Sequence, residues 1–466
     1  MTLLLALWLA TVAGLVTLWV AHEPGKIGLG VLAIGIPAQA VVIGLIATPL
    51  LGSTVAHFLP LWKEGLVALL IVTLFTRSAA RSLDASPNYL LGTVIGVTIV
   101  QLVAYAFLPI ASYAAVESGP LPARLAGLRQ NLVPVLLLVV GMGLRRAGHS
   151  PQRLSVLVLR YGMVVGIIAI AGLIVVPLEF WVHLKELNPG PGELTGTPMD
   201  RLNGMQSYFF GIALPRAVAP FASPLTLAFT FIMPVALLCS RHAEWRPRHQ
   251  GIVIVLALVL TQTRSVIVAF LLLASFRWLN LRRLRLTNII VLAAITMLAL
   301  GPLRVAIVNT FSGNDPSSRV HWAAVVDGAD KLSHNPVGVG LGQGGQIGRA
   351  LGQQLAGGES LFLVIGNERG WLGLALTLLL FASIYRRASW VKHYAKDHHT
   401  AWLADGVRFA VPVTVLASLT TEHGIAFSSS WLFWIAAGFV CAAVPVDEAP
   451  VVPGAVTANK HNAVGG

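Results

Sequence analysis

The sequence of 466 residues has little charge and little cysteine, and both shortages exclude whole classes of protein. Only 11% of its residues are charged, against roughly a quarter in soluble domains, so a soluble globular protein is excluded. The two cysteines, Cys239 and Cys441, each lie near the end of an apolar run, which favours ordinary buried thiols over a disulfide. No group of Cys and His has the spacing of a zinc site, and we expect neither a metal nor a cofactor.

Hydrophobic residues are abundant in the sequence: they make up 56% of the chain, and the mean hydropathy is +0.77. Runs of about 18 or more apolar residues recur from end to end, and each is long enough to cross the membrane as a helix. Backbone groups in lipid must be satisfied within the segment, so we predict an all-α polytopic membrane protein with about 12 or 13 transmembrane helices. The predicted spans are 2–21, 27–50, 61–76, 89–110, 125–144, 156–177, 225–240, 249–263, 265–280, 287–303, 360–384, 406–423 and 429–445.

The formal net charge of +13 is best explained by basic cytoplasmic loops rather than by nucleic-acid binding. Four basic clusters, at 145–153, 241–248, 277–285 and 386–396, fall on one side of the membrane if the spans alternate. This places the C-terminal tail, 446–466, in the cytoplasm, where its Pro, Gly and Ala content predicts disorder. The first apolar run lacks a preceding basic segment, so we do not expect a cleaved signal peptide.

Two long loops on the opposite, outer face divide the helices into groups. We divide the chain into N-terminal helices (1–177), a first periplasmic loop (178–224), helices (225–303), a large periplasmic loop (304–359), C-terminal helices (360–445) and the tail. Neither loop has an obvious strand pattern, and long loops of this kind are usually functional or disordered.

The large loop contains one predicted helix. Ser317 or Ser318 is its expected N-cap, and Asn335-Pro336 its expected end. Trp322, Val325, Ala329 and Leu332 follow helical spacing and form one apolar stripe. We expect this helix to lie over a cavity that faces the membrane.

Three arginines lie on the outer side, against the usual distribution of positive charge: Arg216, Arg264 and Arg319. Arginine suits phosphate because it is always charged, planar and able to bind two oxygens at once. The alternative is that these side chains reach toward the membrane surface or pair with a loop carboxylate.

Other polar residues admit both a chemical and a structural reading. Glu359 begins an apolar run, where it is a candidate general base or an acid stabilised by the helix dipole. His321 and His334 are candidates for proton transfer. The glycine-rich run 338–345 favours tight turns, with an anion-binding nest as the alternative.

Paired charges near the predicted spans favour structural roles. Glu368-Arg369 is read as an intramembrane ion pair packed against other helices. Lys63-Glu64 and Glu422-His423 are read in the same way, although Glu422-His423 is also placed where it could line a cavity.

The order of these signals resembles the O-antigen ligase and O-antigen polymerase superfamily over about residues 200–380. The elements that carry the resemblance are Arg216 with Phe221 and Pro224, Thr261-Gln262-Thr263-Arg264, Arg319 with Trp322, the segment 336–342, Glu359-Ser360, and Glu368 with Gly370 and Gly373. Ligases of this superfamily have His where this chain has Glu359, and the Glu-Ser version looks more like the polymerases.

The resemblance implies a metal-independent, inverting glycosyltransferase of the GT-C type in the bacterial inner membrane, with its active site facing the periplasm. Its donor would be a glycan on undecaprenyl pyrophosphate, held by Arg216, Arg264 and Arg319, and Glu359 would activate the acceptor hydroxyl. The favoured activity is polymerisation of O-antigen or exopolysaccharide repeat units onto a lipid-linked acceptor, with a chain-length regulator as a candidate partner. A ligase acting on lipid A core is the alternative, and a transporter or flippase is the third reading.

Overall fold

The structure is a computed structural model that describes residues 17–20, 22–42, 45, 61–79, 89–108, 120–187, 205–209, 212–240, 248–279, 316–350 and 360–443. Over these residues the chain is mostly helical. In chain order the helices are α1 (Leu29–Val41), α2 (Trp62–Ala79), α3 (Tyr89–Phe107), α4 (Leu121–Arg146), α5 (Pro151–Val175), α6 (Leu178–Leu187), α7 (Pro224–Thr230), α8 (Ile232–Leu238), α9 (Arg248–Leu260), α10 (Arg264–Leu279), α11 (Pro316–His334), α12 (Gly345–Ala350), α13 (Leu361–Tyr394), α14 (His398–Ala417) and α15 (Phe427–Cys441). A short antiparallel hairpin of β1 (Gln206–Phe209) and β2 (Ile212–Pro215) precedes α7.

Within the described residues, five helices are long and apolar enough to cross a membrane: α3, α4, α5, α13 and α14. The shorter apolar stretches Pro224–Leu238, His249–Leu260, Arg264–Ser275 and Phe427–Cys441 lie among them. This composition is that of a polytopic membrane protein, as the sequence predicted. The predicted span 287–303 and most of 2–21 lie outside the described residues, so the count of 12 or 13 stays a prediction.

The bundle is built around the close contact of α4 with α15. A side chain on Gly438 would meet the main-chain oxygen of Leu138, and one on Gly141 would meet that of Ile435. Small residues let the two backbones approach closely, which is how helices gain van der Waals contact in a membrane.

Two fully buried tryptophans fix α15 in the centre of the bundle. The Trp431 ring packs edge-to-face on Tyr161 of α5 with centroids 5.3 Å apart, and its Nε1 donates to the Tyr161 hydroxyl over 3.4 Å. Nε1 of Trp434 donates to the Gly424 carbonyl over 3.3 Å. Each indole N–H thus finds a partner in the apolar interior, as a buried Trp requires.

Polar contacts join several helix ends at one end of the bundle. Lys392 near the end of α13 forms a 2.9 Å ion pair with the buried Asp405 of α14. Asp405 also accepts a hydrogen bond from Ser240, just after α8, over 2.9 Å. Arg145 at the end of α4 interacts electrostatically with Asp397. Residues of the basic clusters 145–153 and 386–396 therefore lie at this end, while 241–247 and 280–285 lie outside the described residues.

Several predicted boundaries are wrong. The span 225–240 is two helices, α7 and α8, because Pro234 has no N–H for the Thr230 carbonyl and its ring crowds that carbonyl. The span 360–384 continues to Tyr394 and is broken at Gly370. The span 406–423 lies too late in the chain, since α14 covers His398–Ala417 and a 3-10 turn, His423–Ile425, precedes α15.

The described residues of the two predicted loops contain helices and a hairpin. The loop 178–224 contains α6 and the hairpin, so the described chain is not purely α-helical. The predicted helix of the large loop is confirmed as α11, which ends at His334 as expected. It begins at Pro316 rather than after a serine cap, because proline at the first helical position already has the helical φ and needs no N–H partner.

Candidate functional site

The segment that follows β2 lies against the turn between α9 and α10. The Arg216 N–H donates to the Met205 carbonyl over 3.0 Å, and the Ala217 N–H donates to the Leu260 carbonyl over 2.9 Å. The second bond uses a carbonyl at the end of α9 that has no partner within its own helix. These main-chain bonds fix the position from which the Arg216 side chain leaves the backbone.

The Arg216 side chain is held by the turn itself. Its Nε donates to the Thr261 carbonyl over 2.8 Å, and its Nη2 donates to the Thr263 hydroxyl over 3.1 Å. The Thr263 hydroxyl in turn donates to the carbonyl of Pro224, the first residue of α7, over 3.3 Å. The guanidinium is therefore aimed by a chain of hydrogen bonds that joins three elements.

The turn has a backbone shape that its sequence supports. Gln262 adopts a left-handed conformation with φ 51°, and its side-chain amide donates to the Pro215 carbonyl over 3.2 Å. The Thr261 hydroxyl donates to the Leu258 carbonyl over 2.7 Å and accepts the Thr263 N–H over 3.3 Å. Hydroxyl side chains thus replace the backbone partners that are missing between two helices.

Arg216 and Arg264 are close enough to repel each other. Partial burial and the like charge of Arg264 lower the pKa of Arg216 from its ordinary value to about 10, so it remains a cation at neutral pH. Arg264 is exposed and is the first residue of α10, where the helix dipole adds to its positive potential. Two cations held together at a helix N-terminus form a site that favours an anion with several oxygens.

A cavity of about 440 Å³ lies beside Arg216, within the usual size of ligand pockets. The residues that line it are 172–179, Trp181, Gln206, Pro215, Arg216 and Val218. The part of the lining formed by the end of α5 is apolar, and Ile174 and Val175 there are about three-quarters exposed, as lipid-facing residues of a membrane helix are. The lining also includes Arg216, Gln206 and Glu179, so the cavity has both apolar and polar residues.

Helix α6 forms the edge of the cavity. Its residues Trp181, Val182 and Leu184 are buried in an apolar cluster with Met205 and Val218, among others. This burial fixes the helix on the segment that carries Arg216, and it leaves Glu179 of the first turn exposed. The packing of α6 therefore places one carboxylate at the cavity lining.

The glycine-rich run 338–345 fills the break in α13. At Gly370 the backbone has φ 67° and ψ −171°, which interrupts the helical hydrogen bonds. The Val339 N–H donates to the Asn367 carbonyl over 2.8 Å, and the Gly340 N–H donates to the Glu368 carbonyl over 3.0 Å. The Trp371 N–H donates to the Pro336 carbonyl over 3.0 Å. The run and the preceding Pro336 thus provide hydrogen-bond partners for the backbone groups of α13 that the break leaves without helical partners.

The same run also binds a side chain of the chain itself. Oε1 of the buried Glu368 accepts the Gly344 N–H over 3.1 Å. The anion held by the glycine-rich run is therefore an internal carboxylate, and both sequence readings, tight turns and an anion nest, describe part of the result. Glu368 and Arg369 interact electrostatically, while Nη2 of Arg369 donates to the Thr377 hydroxyl over 2.9 Å.

The predicted site residues divide into two groups. Arg216 lines the cavity and interacts electrostatically with Arg264, whereas His334 is exposed at the end of α11, with its Nδ1 2.9 Å from the Asp330 carbonyl oxygen. Arg319 and His321 belong to the first turns of α11, and their side chains lie outside the described residues, as does the whole of Glu359. Their predicted roles stay predictions.

The remaining charged pairs have local partners. Arg129 forms a 2.7 Å ion pair with Glu64, and the buried His423 has its Nδ1 2.7 Å from the Thr421 hydroxyl. These contacts agree with the structural reading of both pairs. Sequence reasoning missed Glu179, although an acid directly after the outer end of a predicted span was the available signal.

No family model matches the chain, and no curated protein matches it. The resemblance to the O-antigen ligase and polymerase superfamily therefore rests on the order of short motifs alone and stays an expectation.

Proposed function

We propose that this protein is a membrane glycosyltransferase that transfers a glycan from a lipid-linked diphosphate to a hydroxyl acceptor, and that it polymerises O-antigen or exopolysaccharide repeat units. The observation that carries the proposal is that Arg216, which interacts electrostatically with Arg264, lines a cavity whose other lining residues are both apolar and polar. In this proposal the protein is of the GT-C type, lies in the bacterial inner membrane, and binds undecaprenyl pyrophosphate at the periplasmic face.

The donor has an apolar isoprenoid chain and an anionic diphosphate, and the cavity lining has both apolar residues and a cation. An isoprenoid chain can lie against the exposed apolar residues at the end of α5, while the diphosphate reaches the guanidinium of Arg216. Transfer of the glycan leaves a lipid diphosphate whose negative charge rises as the sugar departs. Cations that are already fixed in position stabilise this developing charge without having to reorganise during the reaction.

The fixed position of Arg216 is the second support. Its Nε and Nη2 donate to the turn, so the guanidinium is already fixed in position at the cavity that Arg216 lines. A lysine at this position would keep the charge but would lack the planar fork that contacts two groups from separate nitrogens.

The experiment is transfer by the purified protein in detergent, with a lipid-diphosphate-linked repeat unit as donor. Arg216→Ala and Arg264→Ala are expected to lower kcat/KM by at least about 100-fold, the usual effect of removing one preorganised donor to a developing anion. Arg216→Lys is expected to recover part of that loss. Arg153→Ala changes an exposed arginine at the opposite end of α5 and is the matched control.

Near wild-type transfer by a folded Arg216→Ala variant would contradict the proposal. The same assay separates polymerisation from ligation when both a lipid-linked repeat unit and lipid A core are offered. Elongated lipid-linked glycan supports the polymerase, and glycosylated core supports the ligase. Because the assay is done in detergent, any product at all argues against a flippase.

A further inference from the structure

The cavity beside Arg216 has a second ionisable side chain that the sequence reading did not use. Glu179 lies in the first turn of α6 and carries the one carboxylate among the described residues that line this cavity. We propose that Glu179 accepts the proton of the acceptor hydroxyl during transfer. This inference rests on the proposed function and assigns the base to Glu179 rather than to Glu359.

The position of Glu179 is fixed by its neighbours in the chain. Helix α5 ends with the Val176 N–H bonded to the Gly172 carbonyl, and α6 begins within two residues, with the Phe180 N–H bonded to the Pro177 carbonyl over 3.1 Å. Trp181 then anchors the helix in its apolar cluster. The carboxylate is thus carried on a short, packed helix rather than on a long loop.

Glu179 and Arg216 belong to separate elements that meet at one cavity. Inverting transfer needs this division, because the acceptor approaches the anomeric carbon from the side opposite the leaving diphosphate. Glu179 on α6 and Arg216 on the segment after β2 put the base and the cation on different elements of the cavity lining. The helix dipole at the start of α6 also favours a negative side chain there.

The proposed step conserves atoms and charge. The acceptor O–H gives its proton to the Glu179 carboxylate, and the acceptor oxygen forms a bond to the anomeric carbon. The bond from that carbon to the diphosphate oxygen breaks, and its electron pair stays on the diphosphate, next to Arg216. Glu179 is exposed, so the proton it has gained can pass directly to water before the next turnover.

The test compares Glu179→Gln, Glu179→Asp and Glu359→Gln in the transfer assay across a range of pH. Glu179→Gln is expected to lower kcat by about 100- to 10,000-fold, the usual contribution of a general base, with little change in the KM for the donor. It should also abolish the fall in rate at acid pH, while Glu179→Asp keeps that fall and part of the rate. His183→Gln changes an exposed residue on the same helix and is expected to stay within about twofold of wild type.

Two results would overturn the inference. The first is a Glu179→Gln variant with nearly wild-type kcat and an unchanged fall in rate at acid pH. The second is that Glu359→Gln, rather than Glu179→Gln, lowers kcat and abolishes the fall in rate at acid pH. In either case a large loss in Arg216→Ala would leave the proposed function standing, so the two failures are distinguishable. If Glu179→Gln does not fold, Glu179→Asp still reports through a displaced acid limb, and an acid limb identical to that of wild type counts against the proposal.

Discussion

Replacing Gly370 by alanine tests whether the break in α13 is required by the contacts around it. The residue has φ 67° and ψ −171°, a conformation that essentially only glycine adopts. A side chain there would meet main-chain atoms of Pro336 and Val337, which cannot rotate away as a side chain can. The glycine-rich run would have to move away from α13 to admit it.

The size of the effect follows from what that movement breaks. The backbone strain of a non-glycine residue in this region costs about 1–3 kcal/mol. Displacement of the run would also lose the bonds made by the Val339, Gly340 and Trp371 N–H groups, each contributing about 0.5–1.5 kcal/mol. Together these terms predict a destabilisation of about 2.5–7.5 kcal/mol. That is a large share of the roughly 5–15 kcal/mol that holds a typical protein folded.

The assay is thermal unfolding of the purified protein in detergent, followed by tryptophan fluorescence. Gly370→Ala is expected to lower the midpoint by about 3–8 °C, because each kcal/mol corresponds to roughly 1 °C in a chain of this length. Gly96→Ala is the matched control, because Gly96 lies inside α3 with no atom within 4 Å of the added methyl group. The control should be unchanged or slightly stabilised, since alanine is favoured over glycine inside helices by about 0.5–1 kcal/mol. If Gly370→Ala unfolds within about 2 °C of wild type, the run is not tied to α13 as argued.

Three further predictions concern the arginine site and the opposite end of the bundle. Thr263→Val keeps the volume of a buried residue but removes the hydroxyl that accepts from Arg216, so kcat/KM for transfer should fall about tenfold or more with little change in thermal midpoint. Donor binding should be constant from about pH 7 to pH 9 and weaken as the pH rises through about 10, because only the charged form of Arg216, with its pKa lowered to about 10, attracts the diphosphate. Asp405→Ala leaves the largely buried Lys392 without its ion-pair partner and should destabilise the fold by about 3–5 kcal/mol in the same melting assay.

The proximity of Arg216 and Arg264 was predictable because its signal is a departure from a general rule. The predicted spans place both arginines on the side of the membrane where positive charge is rare, and this was visible without a structure. Their electrostatic interaction depends on the short turn between α9 and α10, which span prediction also supplies. Their membership in one diphosphate site stays a prediction.

Other features were not predictable because tertiary contacts decide them. The partners of the glycine-rich run are carbonyls freed by a helix break 30 residues further along the chain, as in the bond from the Val339 N–H to Asn367, with Gly340 to Glu368 beside it. Helix α6 has ten residues, and it is stabilised by burial of Trp181 against Met205 rather than by its own length. The division of the span 225–240 was readable from Pro234, but a proline inside an apolar run is tolerated often enough in membrane helices to leave the outcome open.

The glycine-rich run and Arg216 differ in the groups that they contact, and this difference affects where a diphosphate can bind. The glycine-rich run offers backbone N–H groups, but those of Val339, Gly340 and Gly344 already donate to main-chain carbonyls of α13 and to the Glu368 carboxylate. A diphosphate binding there would have to displace the buried Glu368 carboxylate and break the hydrogen bonds that the run donates to carbonyls of α13. At Arg216 the bonds to the turn orient a guanidinium that lines the cavity, and the positive charge is reinforced by Arg264. The glycine-rich run therefore holds α13 in its broken shape, and under the proposed function the diphosphate binds at Arg216 rather than at the run.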